Sequence, residues 1–261
     1  MKYGICILGV IPVFKNPALE SEIISQLLFG ETFEVFEQRG ALVRIRSAHD
    51  RYEGWIDSRQ CEAMDAEEFH DLSERTHPIV DDPSAVIVRD GFEFPVVRGG
   101  ILPRNEHGQF AFNSKGYHVQ GNFSYPLEAP FQAADVARIA VRYLNCPYFW
   151  GGRSPFGIDC SGFVQAVFRC LGIRLNRDAY QQIHQGDEVS GLHDARFGDV
   201  VFFSSAGQGV THVGIVWQPG YMIHSAIRVR IERLDEKGIF SDIERRYTHQ
   251  LIAIRRMAEI V

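Results

Sequence analysis

The sequence predicts an α+β protein in which small β-domains precede a domain with helices first and an antiparallel sheet afterwards. Short apolar stretches separated by turn residues fill residues 1–62. A boundary at residues 127–130 is followed by an apolar stripe at helical spacing over residues 133–144. A second helix is predicted from about 160 to 170. Later strands are predicted at 199–203, 212–217, 221–225 and 251–254.

Residues 1–62 are predicted to form one small β-barrel, because the apolar stretches are closely spaced and no long helical pattern interrupts them. Gly30, Gly40 and Asp50 supply turns between them. The stretches lie at 5–13, 23–29, 33–36, 42–45 and 54–56.

Residues 63–128 are predicted to be a connector followed by a second, more degenerate barrel. The polar segment 66–72 has a helical pattern. Strand patterns then return at 85–88, 92–97, 109–112 and 117–121. The third predicted domain spans residues 129–261.

Composition and charge exclude several classes of protein. The chain is 45% hydrophobic with a formal net charge of -6, so we expect no nucleic-acid partner, which would need a basic surface. The apolar run at 4–11 is interpreted as a strand and not as a signal peptide. No stretch reaches the roughly 20 apolar residues of a membrane span. The sequence leaves the oligomeric state open.

The cysteines indicate a reducing compartment. There are five, an odd number at irregular spacing without a C-x-x-C pair, so a disulfide framework is not expected. We therefore expect a cytoplasmic protein, with a periplasmic or exported one as the alternative. The five are Cys6, Cys61, Cys146, Cys160 and Cys170.

Cys160 is the candidate nucleophile. It follows a glycine-containing loop and stands at the predicted start of a helix, with Asp159 at the N-cap position. Unpaired amide groups and the positive end of the helix dipole lower the pKa of a thiol there, and the same amides can donate to an oxyanion. The alternative is a buried structural cysteine, the role expected of Cys146 and Cys170.

A cysteine nucleophile needs a base and a group that orients the base. His212 opens one apolar strand and His224 ends the next, and residues 218–220 between them predict a hairpin turn. The hairpin would bring the two imidazoles together. Taken singly, each histidine could be an ordinary half-buried side chain. Cys160 with both histidines could also supply three zinc ligands, but no H-E-x-x-H and no paired cysteines accompany them, so we expect no metal and no cofactor.

Four motifs in order resemble the NlpC-type cysteine peptidases. They lie at residues 147–162, 197–203, 211–215 and 222–226. The resemblance implies a papain-like domain, with the cysteine helix against an antiparallel sheet. The N-terminal part resembles bacterial SH3-like domains, so one or two small SH3-like β-barrels are expected before it. Residues 21–26 and 52–56 are similar to a subgroup of dipeptidyl-peptidases that cleave the γ-D-glutamyl bond to a diamino acid in wall peptides.

The resemblance assigns roles to individual residues. Cys160 is the nucleophile, His212 the base and His224 its orienting partner. Tyr148 donates to the oxyanion together with the Cys160 backbone N–H. The residues implied to bind substrate are Asp159, Ser161, Glu22, Tyr52 and Asp178. Where the family often has Arg-Asp-Ala-Ser, this chain has Arg177 to Tyr180, and the bulkier Tyr180 alters that wall of the site.

The implied function is hydrolysis of the γ-D-glutamyl–diamino acid bond in murein peptides that carry a free N-terminal L-alanine, in wall-peptide recycling. The diamino acid is left open between meso-diaminopimelate and L-lysine. Three alternatives remain: an exported endopeptidase acting on intact peptidoglycan, a non-catalytic wall-peptide binding protein, and an acyltransferase that uses the same cysteine and histidine.

Overall fold

The computed structural model describes residues 2–103, 108–112, 115–205, 207 and 209–261. The chain separates into two compact units. One comprises residues 1–126 and 150–155, and the other comprises residues 127–149 and 156–261. The short segment 150–155 therefore belongs to the N-terminal unit, although the residues before and after it in the sequence belong to the C-terminal unit.

A seven-stranded antiparallel sheet begins the N-terminal unit, in the order β3-β2-β6-β5-β4-β1-β7. Its core is apolar and includes Ile11, Phe33 and Ile45, each fully buried. A short 3-10 helix, Ser58–Gln60, joins the last two strands. The strands are β1 (Tyr3–Cys6), β2 (Val10–Phe14), β3 (Ile23–Leu28), β4 (Thr32–Arg39), β5 (Leu42–Ser47), β6 (Glu53–Asp57) and β7 (Cys61–Met64).

The apolar stretch predicted at 5–13 is two strands, β1 and β2, and not one. Residues 7–9 separate the two strands, and Gly9 lies close to the backbone of Pro95. A Cβ on Gly9 would lie 2.4 Å from the Pro95 carbonyl oxygen, so only glycine fits this approach.

The rest of the N-terminal unit contains a helix and two further small sheets. Helix α1 (Ala66–Glu74) is capped by Asp65, whose side chain accepts from the Glu68 N–H at 2.8 Å. A four-stranded antiparallel sheet has the order β10-β9-β12-β11, and β13 pairs with β8. The strands of these sheets are β8 (Ile79–Val80), β9 (Ser84–Arg89), β10 (Phe92–Val97), β11 (Gln109–Phe112), β12 (Lys115–Gln120) and β13 (Phe123–Ser124), and the short strand β14 (Arg153–Ser154) lies outside them.

The described residues of the C-terminal unit form three helices, α2 (Ala133–Val141), α3 (Cys160–Arg169) and α4 (Ala179–Gln182). All but one residue of α3 is buried, and its apolar side chains join the main core, where Phe163 and Phe168 are fully buried. Because the helix is enclosed on nearly all sides, its first residue is held firmly in place. No helix in the described ranges has both the length and the apolarity needed to cross a bilayer.

The sheet of the C-terminal unit is antiparallel and has the order β16-β22-β17-β18-β19-β20-β21. Strand β21 also pairs with β22, so six of the strands close on themselves. Two of them, β20 and β21, were not predicted from the sequence. The strands of this sheet are β16 (Asp187–Glu188), β17 (Val200–Ser204), β18 (His212–Gln218), β19 (Tyr221–Ala226), β20 (Arg228–Asp235), β21 (Gly238–Ser241) and β22 (Arg246–Arg256), and the short strand β15 (Gly157–Ile158) lies outside it.

Candidate active site

Cys160 is the first residue of α3. Asp159 caps the helix, and its carboxylate accepts from the Gly162 N–H at 2.7 Å. The backbone N–H groups of Val213, on β18, and of Ser161 act on the Cys160 sulfur. The thiol therefore lies beside the strand that begins with His212, at a helix end that offers hydrogen-bond donors.

Burial raises the pKa of the Cys160 thiol to about 12, and the charge of Asp159 adds to this rise. The two backbone N–H groups and the Arg177 guanidinium lower the pKa, as expected of a helix start, but burial outweighs them. The net direction is therefore opposite to the one that the sequence predicts. Since the resting group is a thiol, attack on a carbonyl requires a base that removes its proton.

The two predicted histidines are joined by a hydrogen bond. His212 Nε2 lies 2.7 Å from His224 Nδ1, and both side chains are buried. The hairpin turn that brings them together is Pro219–Gly220, where Gly220 has a φ of 79°. His224 Nε2 lies 3.0 Å from a carboxylate oxygen of Glu232, a residue that the sequence analysis did not select. The nitrogen of His212 that remains for the thiol is Nδ1.

Burial lowers the pKa of both imidazoles. For His212 the pKa lies well below 6.5, and the neighbouring His224, His249 and Arg230 lower it further. For His224 the carboxylate of Glu232 opposes the effect of burial but does not cancel it. Both rings are therefore neutral at pH 7, so His212 is available as a proton acceptor.

A third histidine, His249, packs against His212. The ring of His249, on β22, stacks on His212 with 4.6 Å between centroids and 29° between planes. Phe203 approaches the same ring with a centroid distance of 6.0 Å. These contacts restrict rotation of the His212 side chain. The sequence placed His249 in a polar loop, because the predicted strand began only at residue 251.

Asp159 and Ser161, both predicted to bind substrate, are buried and bonded to Arg177. Arg177 Nη1 and Nη2 lie 3.0 Å and 2.5 Å from the two Asp159 carboxylate oxygens. Arg177 Nη1 also donates to the Ser161 hydroxyl at 2.9 Å. The guanidinium is 1% exposed, so this cluster forms an internal support under the start of α3. The substrate-binding roles stay predictions.

Tyr148 lies half-buried near Cys160. Burial raises the pKa of its hydroxyl, and the charges of Cys160 and Asp159 raise it further. The phenol therefore stays protonated and able to donate. Its oxyanion role stays a prediction. Asp178 precedes α4, and its side chain contacts the hydroxyl of Tyr180, which is itself exposed. Substrate binding by Asp178 likewise stays a prediction.

Glu22 and Tyr52 belong to the N-terminal unit, and the cysteine and histidines belong to the other. The Glu22 carboxylate accepts from Lys15 Nζ and from Trp150 Nε1, each at 2.9 Å. These hydrogen bonds lower its pKa, so the carboxylate is ionised at neutral pH. Tyr52 lines a small pocket together with Ser25, Asp50 and Arg153. The joint role of Glu22 and Tyr52 in binding substrate stays a prediction.

In the described part of the chain, no group of three or more histidine, cysteine, aspartate or glutamate side chains is arranged to hold a metal ion. The site contains a buried thiol at a helix start and a buried, hydrogen-bonded histidine pair on an antiparallel sheet. These features define a cysteine peptidase with a papain-like fold.

Comparison with known families agrees with this class. Residues 145–249 match the NlpC/P60 family, and residues 13–60 match the bacterial dipeptidyl-peptidase SH3 domain. The gamma-D-glutamyl-L-lysine dipeptidyl-peptidase of Bacillus subtilis is 30% identical over 79% of this chain and 73% of its own length. The chain belongs to the NlpC/P60 family, with an SH3-like domain before the peptidase domain.

Two further comparisons differ in how much of the chain they cover. The bifunctional muramidase/DL-endopeptidase CwlT of Bacillus subtilis is 42% identical, but over only 34% of this chain and 28% of its own length. A crystal structure of an NlpC/P60 family protein from Bacillus cereus has a TM-score of 0.80. It covers 98% of this chain and 99% of its own, at 22% identity, and so indicates a shared fold.

Proposed function

We propose that this enzyme removes the dipeptide L-Ala-γ-D-Glu from murein peptides by hydrolysing the γ-D-glutamyl bond to the diamino acid. One observation carries the proposal: the chain joins the cysteine–histidine site to a domain that matches the SH3 domain of bacterial dipeptidyl-peptidases. The similar dipeptidyl-peptidase extends over 79% of the chain, whereas the endopeptidase is similar over 34%. Similarity that includes the N-terminal domain favours the dipeptidase over an endopeptidase.

The proposed mechanism follows from the hydrogen bond between His212 and His224, which leaves Nδ1 of His212 for the thiol. His212 Nδ1 takes the Cys160 proton as the sulfur attacks the γ-glutamyl carbonyl carbon. The Cys160 N–H and the Tyr148 hydroxyl donate to the oxyanion, each worth about 3 kcal/mol in such sites. The imidazolium of His212 then protonates the leaving amine, and a thioester forms on Cys160. The same imidazole accepts a proton from water, which hydrolyses the thioester and restores the thiol.

Recognition of the N-terminal ammonium is assigned to Glu22 and Tyr52. An ionised carboxylate held by Lys15 and Trp150 has the charge and the fixed position that an ammonium requires. An anchored ammonium restricts cleavage to released peptides with a free N-terminus. A role in wall-peptide recycling, and a cytoplasmic location, belong to the same proposal, and cell fractionation with an antibody to the protein tests the location.

The test compares the free tripeptides L-Ala-γ-D-Glu-L-Lys and L-Ala-γ-D-Glu-meso-diaminopimelate with their N-acetyl forms, with products detected by mass. A charge-assisted hydrogen bond is worth roughly 1.5–3 kcal/mol, so acetylation is expected to lower kcat/KM by about 10- to 150-fold. Glu22→Gln should cause a similar loss on the free peptides and little further loss on the acetylated ones, because both changes remove the same interaction.

Glu37→Gln is the matched control. Glu37 lies on β4 of the sheet whose strand β3 directly follows Glu22, its side chain is exposed to a similar extent (38% against 41%), and it pairs with Arg39 as Glu22 pairs with Lys15. Its substitution should leave kcat/KM unchanged for both the free and the acetylated peptides. Equal cleavage of free and acetylated peptides would reject the dipeptidase proposal. Release of peptide ends from intact sacculi would then favour the endopeptidase.

A further inference from the structure

Glu232 ends a hydrogen-bonded chain that begins at His212. The chain runs from His212 Nε2 to His224 Nδ1 at 2.7 Å, and from His224 Nε2 to Glu232 Oε2 at 3.0 Å. All three side chains are buried, and they lie on the neighbouring strands β18, β19 and β20. Neither solvent nor side-chain rotation therefore interrupts the chain.

A carboxylate at the end of this chain decides which nitrogen carries each proton. An ionised carboxylate only accepts, so His224 Nε2 must donate to Glu232. In a neutral ring the other nitrogen, Nδ1, is then an acceptor, so His212 Nε2 must donate to it. The lone pair of neutral His212 is consequently on Nδ1, the nitrogen outside the chain. That tautomer is the one that can accept the proton of the Cys160 thiol.

The carboxylate is itself held in place. Arg230 Nη2 lies 3.0 Å from Glu232 Oε2, the same oxygen that bonds His224, and the Ser241 side chain also hydrogen-bonds Glu232. The exposed fractions of the Glu232 and Arg230 side chains are 4% and 10%. Two donors besides His224 therefore keep Glu232 ionised and oriented.

We propose that Glu232 is a positioning residue of the peptidase, which fixes the tautomers of His224 and His212 so that Nδ1 of His212 takes the Cys160 proton. The inference rests on the assignment of Cys160 as the nucleophile. In the step concerned, one proton passes from the sulfur to Nδ1. The positive charge that develops on the histidine pair faces the negative charge of Glu232.

Several charged and titratable groups lie on the elements around the histidine pair. Glu232 and Arg230 lie on β20, His249 lies on β22, and Cys160 lies at the start of α3. Arg230 lowers the pKa of His212 and His224, whereas Glu232 raises that of His224. Removing the Glu232 charge should therefore make the pair bind its extra proton less tightly, and the acid limb of the pH profile should move to lower pH.

Two substitutions separate the charge of Glu232 from its role as an acceptor. In Glu232→Gln, Arg230 and His224 both donate to the position of Oε2, so the amide oxygen should occupy it and preserve the tautomers. In Glu232→Leu no acceptor remains, and His224 is free to carry its proton on Nδ1. Asp199→Asn is the matched control, since Asp199 is a buried carboxylate of the same unit that pairs with Arg256 away from the histidines.

The first experiment reads the tautomers of wild-type enzyme from long-range nitrogen–proton NMR spectra of its imidazoles. The result expected is a proton on Nε2 of both His212 and His224 at pH 7. A proton on Nδ1 of either neutral ring would overturn the proposal. Because this measurement needs neither a substrate nor a variant, it is independent of the substrate assignment and of any folding defect.

The second experiment measures, for variants with intact folding by circular dichroism, the rate at which iodoacetamide alkylates Cys160 across pH. Loss of a general base is worth about 100-fold or more, so Glu232→Leu should slow the reaction near neutral pH on that scale. Glu232→Gln should slow it by about tenfold and move the acid limb to lower pH. Asp199→Asn should change neither the rate of Cys160 alkylation nor the acid limb of its pH profile. A wild-type profile for Glu232→Leu would overturn the proposal.

Discussion

Two of the buried carboxylate–arginine pairs of the C-terminal unit are built differently. In Asp159–Arg177 the guanidinium binds both carboxylate oxygens, and the carboxylate also caps α3. In Glu232–Arg230 one carboxylate oxygen is shared between the guanidinium and His224. The first pair hydrogen-bonds to the backbone and to the Ser161 hydroxyl and acts on the pKa of Cys160 only through its charges, whereas the second pair shares a hydrogen bond with a titrating imidazole.

The difference teaches what a buried ion pair can do beside a reactive centre. A closed pair fixes geometry, because every strong donor and acceptor is used within the scaffold. A pair that shares an oxygen with an imidazole also sets the direction of that imidazole's proton and the ease with which it gains charge. We therefore expect Arg177 to govern stability and Arg230 to govern the pH dependence of catalysis.

The largest expected effect is on stability, from Arg177→Met. The substitution leaves the Asp159 carboxylate buried without its partner, which typically costs about 3–5 kcal/mol of unfolding free energy. Urea denaturation measures the loss. Arg51→Met is the control, since Arg51 pairs with Glu34 at the surface with 62% of its side chain exposed, and such pairs contribute about 1 kcal/mol or less. Equal losses of unfolding free energy for Arg177→Met and Arg51→Met would contradict a structural role for the buried Asp159–Arg177 pair.

A smaller effect is expected on the pH profile, from Arg230→Met. In the wild type the acid limb of kcat/KM should lie below pH 6.5, because burial and neighbouring charge lower the pKa of His212. Arg230 lowers the pKa of His212, His224 and His249, so its removal should move that limb to higher pH. The limb belongs to the coupled pair and not to one ring. A limb that stays in place, or moves to lower pH, would contradict this account.

The sequence predicted the histidine hairpin but not the strand beside it. His212 and His224 flank apolar runs and a turn, so the pattern placed them on adjacent strands. In β20 the residues alternate between charged and apolar, and the structure buries Arg230 and Glu232 while Ile231 remains 37% exposed. A rule that turns apolar residues inward would be right for Val229 and Leu234, which are buried, but wrong for Arg230, Ile231 and Glu232. Arg230 and Glu232 are buried where they meet each other and His224.

The contacts of Arg177 and His249 could not be predicted from the sequence for a similar reason. Arg177 supports Asp159 from 18 positions away, and no local pattern connects two residues that meet only in the folded chain. His249 lies on β22, whose N-terminal half is polar and only partly buried, so the predicted strand began at residue 251. By contrast, α3 was predicted nearly to its observed ends, because its capping residue and apolar spacing are local signals.

The most direct test of the account follows carbamidomethylation of each cysteine by peptide mass mapping during inactivation with iodoacetamide, with residual tripeptide cleavage measured on the same samples. The account predicts that activity falls in proportion to modification of Cys160, while modification of Cys146 and Cys170 bears no relation to the loss. Full modification of Cys160 with activity retained, or complete inactivation with Cys160 unmodified, would contradict it.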